Sequence, residues 1–402
     1  MLELEVYPER GLGNETIEFT LGMPFQFAVT ALRKHMKLIK QVQVIYSDAE
    51  PLGNDLVISL PLDGVRLIFN SHSQTLKVIE VFDLRLLNLK YCGIMFSSRG
   101  VLPNIEEIDH CFGATHPGVY DPDNQVFVLN FRGLQFSFPI ETRIEPQYVM
   151  GLGSIQFPTS PKVAKMFVYT GNSLISTSSP EMPLHCYYGN VFAESVRGML
   201  KDSLICGLCV SIIKEGAHMN SQSTENKQRL ERIVKLGESG EKVISALGAP
   251  NRIFYKSNDK MKIHAKRETI DDSSVSPYFL NYFTLGIDIL IDGRSHKVKK
   301  FILHTNYPSH YNFNIYHRCN FQLTVPLPNN TEQLQLTPYS KWDDLQESFV
   351  CKKPVILNRS SSVNNTNPFG PTFCYSTKNL IFEVMSNNHI ASVTIFQPVS
   401  LA

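Results

Sequence analysis

The strongest constraint on the fold is a strand pattern that occurs four times. Residues 63–69, 132–138, 285–291 and 378–384 each open at Gly64, Gly133, Gly286 or Asn379, and apolar residues then tend to alternate. Gly and Asn tolerate positive φ, so each segment reads as a tight turn entering a strand with one buried face. In three of the four, a polar turn leads to another strand, at 76–82, 298–303 and 391–396, which predicts antiparallel hairpins.

A short helix is predicted upstream of each. Residues 24–36 place Phe27, Ala28, Ala31, Leu32 and His35 at helical spacing after Pro24. Residues 105–112 and 239–247 stop at Gly113 and Gly248, and residues 342–349 follow Ser340 as N-cap. Extended segments come next at 42–46, 118–121, 252–256 and 355–357. The unit therefore reads helix, strand, then a meander. Two units make each of two related halves, at 1–170 and 236–402, joined by a connecting segment at 171–235 with a polar loop at 221–229. The expected class is α+β: antiparallel sheets with short helices on one face.

Composition bounds the function classes. The 402 residues include 25 Phe and 16 Tyr against one Trp, with 43% apolar and 19% charged residues, which suits packed strands and excludes disorder over most of the chain. Lys and Arg (38) nearly cancel Asp and Glu (37), so a dedicated nucleic-acid binder is not expected. Scattered cysteines and a start without a basic, apolar leader predict a cytoplasmic chain with reduced thiols. Any membrane association would be peripheral, because the longest chargeless apolar run, 203–213, is far short of a bilayer span.

Motifs for chemistry are sparse. No dinucleotide, Walker or nucleophile-elbow pattern occurs, and Asp121, Asp123 and Asn124 read as a turn. His304, His310 and His317 lie in a stretch dense in imidazole, amide and phenol. Their spacing matches no known zinc signature, and the choice is between metal or acid–base use and satisfied, half-buried polar residues. Cys206 and Cys209 sit in an apolar run as core thiols.

Two binding features have competing readings. Lys256, Lys260 and Lys262, with Lys299 and Lys300 in the following hairpin, form a basic patch for an anionic lipid headgroup or an acidic partner, or else a solvated edge guarded by Lys. Trp342, Asp343, Asp344 and Leu345 fit the W-x-x-L pattern that ubiquitin-like autophagy modifiers accept. The same four residues fit a helix start whose Trp342 and Leu345 face the core.

Long blocks of the chain resemble the phagosome assembly factor 1 family. They include Phe112-Gly-Ala-Thr-His-Pro-Gly-Val-Tyr120, Asn281-Tyr-Phe-Thr-Leu-Gly286, Tyr311-Asn-Phe-Asn-Ile-Tyr-His-Arg-Cys319 and Asn387-Asn-His-Ile-Ala-Ser-Val-Thr394. The resemblance implies a non-enzymatic autophagy factor, with no catalytic residue, metal or cofactor. It also implies pairing with a β-propeller partner, recruitment to the phagophore assembly site, and contact with ubiquitin-like modifiers at Trp342 to Leu345. The aromatic loop with Tyr307, Tyr311, Phe313 and Tyr316 is the expected partner interface, and phosphoinositide membrane would be reached indirectly.

Overall fold

A computed structural model describes residues 2–98, 100–113, 118–140, 160–215, 227–255, 276–326, 333–346, 348–349, 353–358 and 369–398. The chain divides into two compact units, Met1–Cys186 and Tyr187–Ala402. Residues 171–186 thus belong to the first unit. Of the rest of the expected connecting segment, the described residues 191–201, 204–215 and 227–235 build strands of the second, because alternating apolar residues, such as Leu208, Val210 and Ile212, bury one face.

In the first unit, β1 (Glu3–Tyr7), β2 (Gly11–Gly13) and β3 (Glu18–Thr20) precede α1 (Phe25–Lys34). A meander follows: β4 (Gln43–Ile45), β5 (Leu56–Leu60), β6 (Val65–Phe69) and β7 (Leu76–Val81). Then come β8 (Asn88–Tyr91), β9 (Ile94–Ser97), α2 (Ile105–Phe112) and a second meander, β10 (Val119–Asp121), β11 (Val126–Phe131), β12 (Leu134–Pro139) and β13 (Lys165–Val168). Strand β13 supplies the hairpin partner that the second sequence unit lacked.

The second unit repeats this order. It runs β14 (Val191–Lys201), β15 (Leu204–Glu215), β16 (Lys227–Lys235), α3 (Gly240–Leu247), β17 (Arg252–Tyr255), β18 (Tyr278–Tyr282), β19 (Ile287–Ile291) and β20 (Val298–His304). It continues with β21 (Phe321–Pro326), β22 (Gln333–Leu336), α4 (Trp342–Gln346), β23 (Val355–Leu357), β24 (Thr372–Thr377), β25 (Leu380–Val384) and β26 (Ile390–Phe396).

Strand order makes the two units equivalent. The five-stranded sheets run β3-β2-β1-β8-β9 and β16-β15-β14-β21-β22, and in each the central pair, β1 with β8 or β14 with β21, is parallel. The eight-stranded sheets run β4-β5-β6-β7-β13-β12-β11-β10 and β17-β18-β19-β20-β26-β25-β24-β23. Two four-stranded meanders are therefore joined antiparallel through their last strands.

One hydrogen bond recurs in all four units. The first N–H of each helix, at Phe25, Ile105, Gly240 and Trp342, donates to a carbonyl in or beside the turn before the last meander strand. The acceptors are Gln74, Pro161, His296 and Asn388, at 2.9, 3.2, 2.8 and 2.8 Å. Helix N-termini leave such donors unsatisfied. Each unit meets that need with its own meander, which fixes the helix against the sheet.

The core of the second unit lies between its two sheets. Val196, Leu208 and Phe321 of the smaller sheet, Val243 and Trp342 of the helices, and Ile289, Phe301, Phe382 and Val393 of the larger sheet belong to one buried cluster. The turn expectation holds at Gly64, Gly133 and Gly286, with φ of 67, 74 and 70°. In the fourth unit Lys378, not Asn379, takes positive φ. Asn379 is buried, and its side-chain Nδ2 donates to the Ile205 carbonyl at 2.8 Å, so its amide ties β25 to β15 instead of easing the turn.

Candidate functional site

Period-two alternation gives the larger sheet of the second unit two unlike faces. Ile287, Ile289 and Ile291 point into the core, which leaves Asp288 on the opposite face. Cross-strand pairing aligns Arg252, Asn281, Asp288, Ile302, Thr394 and Ile381 in one row, and His304, Ser392 and Glu383 in the next. Tyr311, Asn312, Ile315 and Tyr316 close one end of these rows, and the resulting groove has a volume of about 570 Å³. That size falls within the range of small-molecule pockets.

Two buried carboxylates lie in the groove. Asp288 accepts from Asn281 Nδ2 at 2.6 Å and from the Tyr316 hydroxyl at 2.7 Å, and its Oδ2 lies 2.9 Å from His304 Nε2. An ionised carboxylate only accepts, so His304 Nε2 carries the proton in that contact. The His304 and Tyr316 rings stack at 3.8 Å. Burial first and the Asp288 charge second push the Tyr316 phenol above its usual range. Glu383 accepts from Thr372 at 2.9 Å and Ser392 at 3.0 Å, with His310 Nε2 at 3.3 Å. Both acids are held by donors of their own chain, so the arrangement locks the sheet face and orients the aromatic loop over it.

The corresponding positions of the first unit are closed differently. Arg66 Nη1 meets Glu80 Oε2 at 3.1 Å, and Lys165 meets Glu80 Oε1 at 3.1 Å. Matched through their pairing registers, Arg66 takes the place of Asp288 and Glu80 that of Ile302. An ion-pair cluster therefore spans the sheet face where the second unit has its groove.

The three histidines do not converge. His304 and His310 each take a separate carboxylate, and His317 packs edge-on to Phe192 at 5.4 Å. Burial, followed by the Arg318 charge, lowers the His317 pKa to about 4. Among the described residues no group of three or more His, Cys, Asp or Glu side chains is arranged to hold a metal ion. Cys206 and Cys209 are both partly exposed rather than core thiols, and the β14–β15 register slips by one residue at Cys206, so strict alternation does not run between them. Asp121 accepts from the Asp123 and Asn124 backbone, as a turn residue does.

The aromatic loop divides between core and surface. Tyr307 is buried, donates to the Pro338 carbonyl at 2.9 Å, and lies 4.8 Å under the Arg318 guanidinium. Tyr316 is buried at the groove, Phe313 is half-buried and Tyr311 is exposed beside Ile315.

Trp342 and Leu345 are 1% and 4% exposed. They face the core one helical turn apart, with the Trp342 ring stacked on Tyr375 at 4.3 Å. Asp343 accepts from Asn388 at 2.7 Å, and Asp344 is exposed. In this conformation the two apolar anchors of the W-x-x-L motif are unavailable to a partner.

Lys256, Lys260 and Lys262 lie outside the described residues. Lys299 pairs with Asp292, and this is the largest cause holding the Asp292 carboxyl well below the usual range. Lys300 is half-buried beside it in sequence. Sequence reading found the loop over the groove but missed its acids. The available signal was a charge inside an otherwise apolar strand, Asp288 within Ile287–Ile291 and Glu383 within Leu380–Val384.

Comparison with known proteins gives one family. The model of phagosome assembly factor 1 matches residues 15–396. A PHAF1 protein of Drosophila melanogaster is 46% identical over 416 residues, covering 98% of this chain and 94% of the relative. Those of Caenorhabditis elegans and Arabidopsis thaliana are 33% and 32% identical, each over 98% of this chain and over 94% and 92% of their own. No solved structure matches. On the match along nearly its whole length, the chain belongs to the phagosome assembly factor 1 family.

Proposed function

We propose that this chain is a non-enzymatic adaptor of autophagy that pairs with a β-propeller protein and is recruited with it to the phagophore assembly site. The observation that carries this reading is the family match over residues 15–396, to a family described as an assembly factor. The groove of the second unit supports it. Its acids are engaged by their own chain, while Tyr311 and Ile315 stay exposed at its rim, a surface suited to receiving a protein segment.

Contact with a ubiquitin-like modifier through Trp342 to Leu345 is the finer part of the proposal. It requires α4 to leave the core, and so to expose two anchors that folding buries. Recruitment to the assembly site would come through the propeller partner.

The test is capture of the β-propeller partner from cells by the purified chain. Tyr311→Ala combined with Ile315→Ser is expected to reduce capture at least about tenfold, as loss of one anchoring cluster does, with the thermal melt unchanged. Full capture by the folded variant would remove the groove rim from the interface. Absence of any propeller protein in the wild-type capture would overturn the adaptor reading.

A further inference from the structure

The first unit carries a concentration of positive charge outside the expected basic patch. From residue 19 to residue 47 the chain has no Asp or Glu, and Arg33, Lys34, Lys37 and Lys40 fall within that stretch. All four side chains are exposed, and among the described residues none makes an ion pair.

Apolar side chains are interleaved with them. Met36 is 69% exposed and Leu38 47%, and Val44 and Ile45 on β4 are also open to water. This segment has a fixed backbone. The Leu38 and Ile39 N–H groups donate to the His35 carbonyl at 2.9 and 3.0 Å, and Ile39 is buried. With Ile39 anchored inward, Met36 and Leu38 stay on the outside of the turn. Strand β4 is the edge of its sheet, and its one neighbour, β5, has no charged residue to neutralise the cations.

We propose that this corner of the first unit docks directly on an anionic lipid bilayer. Lys37, Lys40 and the Arg33–Lys34 pair meet the headgroups, while Met36 and Leu38 enter the interfacial layer. A bilayer fits better than an added peptide strand. Strand β4 has three residues, so strand addition would gain few hydrogen bonds, and it would leave Met36 and Leu38, outside the strand, uncovered. Lipid headgroups are laterally mobile and can meet four cations at any spacing. This contact is separate from the groove of the second unit and does not depend on a partner protein.

The experiment is flotation of the purified full chain with two kinds of vesicle, phosphatidylcholine alone and a mixture in which about a third of the lipid is phosphatidylserine. Binding is expected on the mixed vesicles only, and raised salt should weaken it. Lys37→Gln with Lys40→Gln should lower partitioning by about 25-fold, at roughly fivefold per lysine. Met36→Ser with Leu38→Ser should lower it by about tenfold or more, and Lys299→Gln should leave it unchanged. The substituted side chains are exposed, so the melting temperature of each variant is expected to match wild type.

The proposal is overturned by no flotation on anionic vesicles, by equal binding to both kinds, or by binding that survives both double variants. Loss of partner capture with vesicle binding intact would instead make the corner a protein interface, which also overturns it. The readout contains no partner, so its failure leaves the adaptor reading standing.

Discussion

The Trp342 indole stacks on the Tyr375 ring with centroids 4.3 Å apart and planes 27° from parallel, and Phe382, paired with Tyr375 on the adjacent strand β25, lies 5.3 Å away. Helix α4 is thereby pinned to the sheet by the one tryptophan of the chain. Trp342→Ala is expected to cost about 3–5 kcal/mol in urea unfolding. The native protein should also show blue-shifted emission that acrylamide quenches poorly. Emission and quenching like those of free indole would mean that α4 leaves the core readily and presents its W-x-x-L motif. Loss of modifier binding in the Ala variant alone is therefore ambiguous, because the variant loses fold and motif together.

Gly286 bears on the backbone that follows the third meander. A Cβ there would sit 2.4 Å from the His317 carbonyl oxygen and 2.8 Å from the Cys319 nitrogen, at φ +70°. Gly286→Ala should destabilise by at least about 2 kcal/mol, from the left-handed penalty and the backbone clash together. Gly93 has φ +78° with nothing within 4 Å, so Gly93→Ala should cost only about 1 kcal/mol. Equal losses in chemical denaturation would show that backbone conformation alone, not close approach, sets the requirement.

These glycines show what the sequence could disclose. Local signals marked the turns, the four helices and the strands beside them, because propensity, capping and alternation act over a few residues. The partner of β12 was hidden, since β13 begins some 25 residues later and pairs through non-local contacts. In sequence, β14 to β16 resemble a connection because the polar stretch between the last two outweighs the alternation on either side. The groove was half legible: Tyr311 and Tyr316 were marked by composition. Asp288 and Glu383 became neighbours of one cavity only through pairing across four strands, which no spacing along the chain encodes.

The Asp288 carboxylate organises its end of the groove by accepting from Asn281, Tyr316 and His304. Asp288→Ala strands three donors and is expected to cost about 3 kcal/mol, whereas Tyr316→Phe removes one and should cost about 1 kcal/mol. A double-mutant cycle between the two sites should give non-additive losses. Additive values near zero in urea titrations would mean that water replaces the carboxylate in the open groove.

His317 makes stability depend on pH. Burial, then Arg318, lowers its folded-state pKa from 6.5 to about 4, so between these values the unfolded chain binds a proton that the folded chain refuses. Stability then rises with pH across that window and is lost as pH falls from about 6.5 towards 4. The contribution is at most about 3 kcal/mol, less because the ring is partly exposed. His389 is lowered by burial, Lys341 and Arg318, and adds in the same direction. Comparing wild type with His317→Asn by urea titration at several pH values separates this group from the carboxylates common to both. The variant should show a shallower slope between pH 4 and 6.5, with the two curves running parallel above pH 7. Parallel curves throughout would mean that His317 protonates freely in the fold.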